Sequence, residues 1–175
     1  MPTFVVPFDG SELSKAALTK ARLYAVGLEE IPRAIAREMS IGGPSEIVAV
    51  SVIPESARYA RENGWIEDGE EFRVRTVAER LHRQVTDVAP SANFQTVRAG
   101  STGAGTIGRV LRQKAIDLGA TDVFIGSENA GRIVTPVSSV GRSVAAADRY
   151  DVHIVRRKLS PKARERLRSE FFVTD

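Results

Sequence analysis

Five short stretches of the chain have the composition of β-strands, and amphipathic stretches separate them. The strand-like stretches are residues 3–6, 47–53, 94–98, 122–126 and 152–155. The second and fourth carry almost no charge, which is typical of strands buried on both faces of a parallel sheet. The third alternates in polarity, which favours a position at the edge of a sheet.

Between these strands, apolar residues recur every three or four positions, as they do on one face of a helix. On the first predicted helix this face is formed by Leu13, Ala17, Ala21, Tyr24 and Leu28. On the second it is formed by Ile31, Ala34, Ile35 and Met39. Further helices are predicted over residues 70–88, from about residue 106 to the capping Gly119, and over 139–149. Strands that alternate with helices predict a parallel sheet with right-handed crossovers, which is a Rossmann-like, doubly wound α/β fold.

Composition narrows the class of protein without identifying a function. The 175 residues fit one domain, and the absence of Cys excludes disulfides, a thiolate nucleophile and a cysteine metal site. No apolar run approaches the ~20 residues needed to span a bilayer, and the N-terminus lacks the pattern of a signal peptide. We therefore expect a cytoplasmic protein without a membrane partner.

The net charge of +3 comes from the C-terminal tail. Residues 156–175 hold seven basic and three acidic residues, whereas the rest of the chain is close to neutral. We interpret the tail as a basic helix, with Leu167 and Phe171 on one side, that packs on the domain or on a second subunit. Because aromatic residues do not alternate with its charges, nucleic acid is not an expected partner.

Residues 3–18, TFVVPFDGSELSKAAL, join a strand to a helix through a tight polar turn. Pro7, Asp9 and Gly10 lie in the turn, and Ser11 is a good helix N-cap with Glu12 in the first helical turn. In a parallel sheet such a turn lies at the carboxyl ends of the strands, where ligands bind. Read as V-P-x-D-G-S-E, this segment resembles the universal stress protein family.

The second half of the chain resembles the same family more closely. Residues 122–127, DVFIGS, match the family's last-but-one strand and the first glycine of its G-x2-G loop. Counted back from the final strand, Ser138, Ser139 and Val140 fall where the family has G-S-V, and Val144 matches an apolar helix position. The resemblance covers most of a domain at residues 1–158, with the expected strand order 3-2-1-4-5. Residues 29–45 are then an inserted helix, and residues 159–175 are a basic extension.

The resemblance implies a regulatory or protective module that binds an adenine nucleotide, either ATP or AMP, with or without Mg²⁺. The residues that it places on the adenosine side are Pro7, Asp9 and Val52. Those that it places on the phosphate side are Gly126, Ser138, Ser139 and Val140. Asp9 would accept a hydrogen bond from a ribose hydroxyl or an adenine amine. The Ser139 hydroxyl would add a donor at a helix N-terminus, where phosphates are favoured. The resemblance implies no catalytic residue, and at most weak ATP hydrolysis is expected.

The glycine loop departs from the family pattern at two places. Asn129 stands at the second glycine position, and Ser138 replaces the first glycine of G-S. A rival register would use Gly141, but it puts Arg142 in place of the serine. Because some members of the family bind no nucleotide, the alternative function is a non-nucleotide-binding member that acts through protein contacts.

A second glycine motif predicts a different function. Residues 103–108, GAGTIG, match G-x-G-x-x-G, and Glu128 follows the next strand where a ribose-binding acid would lie. This pattern would indicate a dinucleotide-dependent enzyme. Its position argues against that function, because residues 99–102 separate the first glycine from the strand end.

Two further expectations concern metal binding and assembly. His82 and His153 have no second ligand at metal-binding spacing, so neither a metal site nor a catalytic histidine is expected. Ser11 is an N-cap rather than a nucleophile, because no base accompanies it. The family commonly pairs its last strand with its own copy, so residues 152–155 are expected to form a homodimer, with Val152 and Ile154 on one face.

Overall fold

A parallel five-stranded sheet lies at the centre of the protein. The structure is a computed structural model that describes residues 1–38, 44–127, 144 and 148–172. The strands are β1 Thr3–Pro7, β2 Glu46–Pro54, β3 Asn93–Ala99, β4 Asp122–Gly126 and β5 Asp151–Val155. Their order is β3-β2-β1-β4-β5, and every neighbouring pair is parallel. The predicted fold class and strand order are therefore confirmed.

Helices connect the strands and lie on both faces of the sheet. They are α1 Glu12–Glu29, α2 Arg33–Glu38, α3 Ala57–Glu62, α4 Val74–Val88, α5 Ala104–Asp117 and α6 Pro161–Arg166. A π-helical turn, Leu167–Phe171, continues α6. The helix predicted over 139–149 lies outside the described residues, apart from Val144 and residues 148 and 149.

Two apolar clusters form the core, one on each face of the sheet. Because side chains alternate along a strand, Phe4 and Val6 of β1 pack with α1 and α4, whereas Val5 packs with α5. Val144 belongs to the second cluster. The sheet is therefore covered on both sides, as near-continuous apolar strands require.

The caps of α1 and α5 follow the sequence prediction. The Ser11 hydroxyl accepts a hydrogen bond from the Ser14 N–H at 3.2 Å and begins α1. At the end of α5, Gly119 has a φ of 64° and donates its N–H to Ile116 O. A left-handed residue closes the helix there, and glycine adopts this conformation at low cost.

The predicted apolar face of α2 is wrong. Ile35 is 48% exposed, whereas Ala36 is buried. The helix has six residues, so a single buried methyl group holds it against the domain. Met39 lies outside the described residues.

The C-terminal tail packs on the domain, as one of the two interpretations predicted. Leu159 packs against the core cluster of α1 and α4. Arg164 of α6 forms an ion pair with Glu12 of α1 at 2.5 Å, and the Arg22 guanidinium lies 3.6 Å from the centre of the Phe172 ring. Within the described ranges, no helix is long and apolar enough to cross a membrane.

Candidate functional site

A cavity opens at the carboxyl ends of β1, β2 and β4. β1 and β4 are neighbours in the sheet, but β2 and β3 lie between them in the sequence, so the strand order reverses at this point. Ligands of doubly wound sheets bind at such a switch point. The cavity has a volume of about 140 Å³ and is lined by Pro7, Phe8, Asp9, Ser14, Val50, Val52, Tyr59, Trp65, Ile107, Leu111, Ile125, Gly126 and Ser127.

Four of the residues predicted from the sequence meet in this cavity. Pro7 ends β1 and Asp9 lies in the turn after it, Val52 lies in β2 and Gly126 ends β4. The three predicted phosphate-side residues, Ser138, Ser139 and Val140, lie outside the described residues. The structure thus brings together the adenosine side of the predicted site and the first glycine of the phosphate side.

The floor of the cavity is apolar. Its side chains are Val50, Val52, Ile107, Leu111 and Ile125, all buried in the cluster between the sheet and α5. Asp9, Ser14 and Ser127 add polar groups at the cavity. An apolar pocket with a few placed polar groups is the usual form of a small-molecule site.

The turn after β1 holds Asp9 in a fixed position. One carboxylate oxygen of Asp9 accepts the Ser11 N–H at 2.9 Å, and Gly10 between them has a φ of 81°. At the other side of the turn, the Ser51 hydroxyl donates to Phe8 O at 2.6 Å. The Ser11 and Ser14 amides at the start of α1 are therefore engaged by protein groups.

Gly126 is required by the packing of α1 on the sheet. A Cβ atom at this position would lie 2.3 Å from Leu13 O and 2.4 Å from Leu13 C. The helix backbone can approach the end of β4 this closely only because residue 126 has no side chain. Its first role is thus structural, in addition to its position on the cavity.

Two aromatic residues that are not among the predicted binding residues also line the cavity. Tyr59 lies on α3, and Trp65 lies in the segment that follows it. Their ring centres are 5.5 Å apart in an edge-to-face arrangement. Burial raises the pKa of the Tyr59 hydroxyl, and the nearby Asp9 carboxylate raises it further. One sequence signal could have indicated these two residues. They are aromatic, they are six positions apart, and they follow β2, a strand that ends at the cavity.

Trp65 connects this aromatic pair to the turn after β1. Its indole N–H donates to Asp9 O at 2.7 Å, and the side chain is 5% exposed. Its backbone N–H donates to Ala60 O at 2.8 Å, and its backbone O accepts from the Arg80 guanidinium at 2.8 Å. Trp65 is therefore fixed through both its ring and its backbone.

An ion pair explains why α4 begins later than predicted. Arg80 of α4 also forms two hydrogen bonds to the Glu70 carboxylate, at 2.6 and 2.8 Å, and Glu70 accepts from the Glu67 N–H at 3.0 Å. These bonds hold residues 67–70 in an irregular conformation, so the helix begins at Val74 rather than at residue 70. Phe72, within the predicted range of this helix, packs on the core from the segment that precedes it.

The Arg80 hydrogen bonds lower the pKa of Glu70 below its ordinary value of 4.5. A carboxylate with a lowered pKa in the folded state stabilises the protein above the unfolded pKa, and this stabilisation is lost as the pH falls through the folded pKa. We predict that Glu70→Gln lowers the free energy of unfolding at pH 7. We also predict that the difference from the wild type shrinks steadily below about pH 4.5. Urea denaturation across this pH range checks the prediction, and a difference independent of pH contradicts it.

The second glycine motif does not have the geometry of a dinucleotide loop. Gly103 is the N-cap of α5, and Gly105 and Gly108 lie within the helix. Four residues separate the end of β3 at Ala99 from the helix, and β3 is an edge strand. A pyrophosphate loop needs its first glycine directly at the strand end. Glu128, the predicted ribose-binding acid, lies outside the described residues.

The two histidines have structural contacts. His153 bonds to Asp122 through Nε2 at 2.8 Å and stacks on Phe124 at 4.2 Å, and the exposed His82 stacks on Phe94. No group of three or more potential metal-ligating side chains occurs in the part of the chain that the structure describes.

Comparison with known proteins finds structural similarity and no sequence family. No family model and no curated protein matches the chain. Solved structures do match, among them a universal stress protein in complex with cAMP, at 15% identity and a TM-score of 0.49 over 89% of this chain and 97% of the other. A universal stress family protein from Burkholderia pseudomallei matches at 16% identity and a TM-score of 0.48, over 89% and 96%.

A third solved structure is the universal stress protein from Archaeoglobus fulgidus in complex with dAMP. It matches at 16% identity and a TM-score of 0.46, over 89% of this chain and 98% of the other. These proteins belong to the family that the sequence resembles.

Proposed function

We propose that this chain is a universal stress protein-like module that binds an adenine nucleotide at the switch point between β1 and β4. The observation that carries the proposal is the convergence of Pro7, Asp9, Val52 and Gly126 on one cavity. The family resemblance implies these four residues, and they come from β1, the turn after it, β2 and β4. In this proposal the adenosine lies against Pro7, Asp9 and Val52.

The phosphates are proposed to lie toward the glycine loop after β4. Gly126 and Ser127 lie at the end of that strand and line the cavity. The sequence resemblance then assigns phosphate contacts to Ser138, Ser139 and Val140. ATP or AMP is the proposed ligand, with a regulatory or protective role rather than a catalytic one.

The alternative function is a member that binds no nucleotide and acts through protein contacts. The volume of the cavity favours it, because about 140 Å³ is below the roughly 300–1,000 Å³ of typical ligand pockets. The loss of two loop glycines, at Asn129 and Ser138, favours it as well.

Ligand analysis separates these functions. Purified protein is denatured mildly and the released small molecules are identified by mass spectrometry, and calorimetric titrations with AMP, ATP and NAD follow. We expect the purified protein to retain AMP or ATP, or to bind one of them in the titrations. Each titration is run with and without Mg²⁺. Binding of NAD alone would favour the dinucleotide enzyme, and binding of none of the three would leave the protein-contact function.

We also propose that the protein forms a homodimer through β5. This strand is at the sheet edge, and an open edge offers unpaired backbone groups to another chain. An apolar groove beside it is lined by Leu23, Tyr24, His153 and Ile154, among others. A two-fold contact between identical edges is self-complementary. We predict a dimer in sedimentation equilibrium at micromolar concentrations, and a single monomeric species would contradict it.

A further inference from the structure

We propose that Tyr59 and Trp65 form an aromatic wall on which the base of the bound nucleotide stacks. This inference rests on the proposed nucleotide-binding function and adds to it the residues that recognise the base. It assigns a binding role to the segment between β2 and α4, which the resemblance left without one.

The geometry of the aromatic pair leaves a surface for a flat ligand. The two ring planes meet at 68°, edge to face. Tyr59 is only partly buried, so part of its ring is open to the cavity, whereas Trp65 is 5% exposed and supports that ring from the core. Both side chains line the same cavity as apolar residues that include Val52 and Ile107. A planar base between the aromatic wall and this floor would have apolar contacts on both faces.

The size of the cavity points to the base rather than to the whole nucleotide. At about 140 Å³ it holds only part of such a ligand. The base is the flat, least polar part, and it suits the apolar floor. The sugar and phosphates would then extend past Asp9 and Ser127, where the polar groups of the cavity lie.

The wall is held in place before a ligand arrives. The Trp65 indole donates to Asp9 O at 2.7 Å, and Arg80 donates to Trp65 O at 2.8 Å. The N-cap Ser56 accepts from the Tyr59 N–H at 3.2 Å and begins α3 there. A surface that is already ordered loses little conformational entropy on binding.

The test uses Trp65 as a reporter, because it is the single tryptophan of the chain. The full-length protein is titrated with AMP and with ribose 5-phosphate, which lacks the base, and binding is followed by Trp65 fluorescence and by calorimetry. We expect AMP to change the Trp65 emission and ribose 5-phosphate to leave it nearly unchanged.

Variants of Tyr59 then separate stacking from other contacts. Because base–aromatic stacking is lost, Tyr59→Leu should weaken AMP binding about tenfold. Tyr59→Phe keeps the ring, so it should bind AMP with the affinity of the wild type. This variant controls for the effect of substitution at residue 59 itself. His82→Leu, at the exposed stack on Phe94, is the matched control and should change nothing.

The outcomes distinguish this inference from the proposed function. If AMP binds the wild type and Tyr59→Leu with equal affinity, the aromatic wall is wrong and the nucleotide site stands. Equal loss of AMP and ribose 5-phosphate binding in Tyr59→Leu would likewise overturn it, because the base would not be the group recognised. If neither AMP nor ATP binds the wild type, the proposed function is overturned, and this inference with it.

Discussion

Gly126→Ala is expected to destabilise the protein by at least about 3 kcal/mol, the upper end of the usual cost of overpacking. The added Cβ would lie 2.3 Å from Leu13 O and 2.8 Å from the Ser14 N atom. These are backbone atoms of α1, so no side-chain rotation can relieve the contact. The first turn of the helix would have to move away from β4, and the turn that holds Asp9 would move with it. Urea denaturation followed by circular dichroism measures the effect.

Gly27→Ala is the matched control for this substitution. Gly27 lies in the same helix, and a Cβ there would meet no atom within 4 Å. Alanine in a helix interior is favoured over glycine by about 0.5–1 kcal/mol, so this variant should be slightly more stable than the wild type. A Gly126→Ala protein with the denaturation midpoint of the wild type would show that α1 does not pack as described.

Trp65→Ala is expected to destabilise the protein by about 3–5 kcal/mol, as the removal of large buried aromatic side chains does. The ring is 5% exposed and packs in the core cluster of α1 and α4. Its loss would also leave Asp9 O without the indole donor at 2.7 Å and remove the edge-to-face contact with Tyr59. Denaturation in urea, followed by circular dichroism, measures the change.

Trp65→Phe separates packing from hydrogen bonding. It keeps an aromatic ring and removes the N–H, so its cost should be about 0.5–1.5 kcal/mol, the net contribution of a typical hydrogen bond. If Trp65→Ala were within about 0.5 kcal/mol of the wild type, as surface substitutions are, Trp65 would not anchor the turn after β1.

The strands could be predicted from the sequence because their signals are local. β4 begins and ends at the predicted residues, and the other four strands extend the predicted ranges by one or two residues. Ser11 and Gly119 cap helices as predicted, since both act on the backbone next to them. The strand order came with the family resemblance, and the sheet has that order.

The aromatic pair could not be assigned to the site, because long-range contacts place it there. The Trp65 indole donates to Asp9 O, 56 positions earlier in the sequence. The ion pair between Arg80 and Glu70 holds the segment that follows Trp65. The same ion pair delays the start of α4, which apolar periodicity alone could not indicate. Ile35 was placed on the buried face of α2 because the short apolar pattern there fits more than one helical face.

Gly126 was predicted as a phosphate-side residue, and the structure gives it a packing role as well. Its sequence context, a buried strand followed by Ser127, fits both roles. Only the position of α1 distinguishes them, since the close contact is with the Leu13 backbone. A substitution at residue 126 therefore measures the fold before it measures ligand binding.

The most direct test of the nucleotide site is a map of AMP-induced changes in the backbone amide resonances of the isotope-labelled full chain. The proposed function predicts that the largest changes lie at Asp9, Val52, Gly126 and Ser127, around the cavity at the β1–β4 switch point. Changes confined to residues 100–108, or resonances that move neither at saturating AMP nor at saturating ATP, would contradict it.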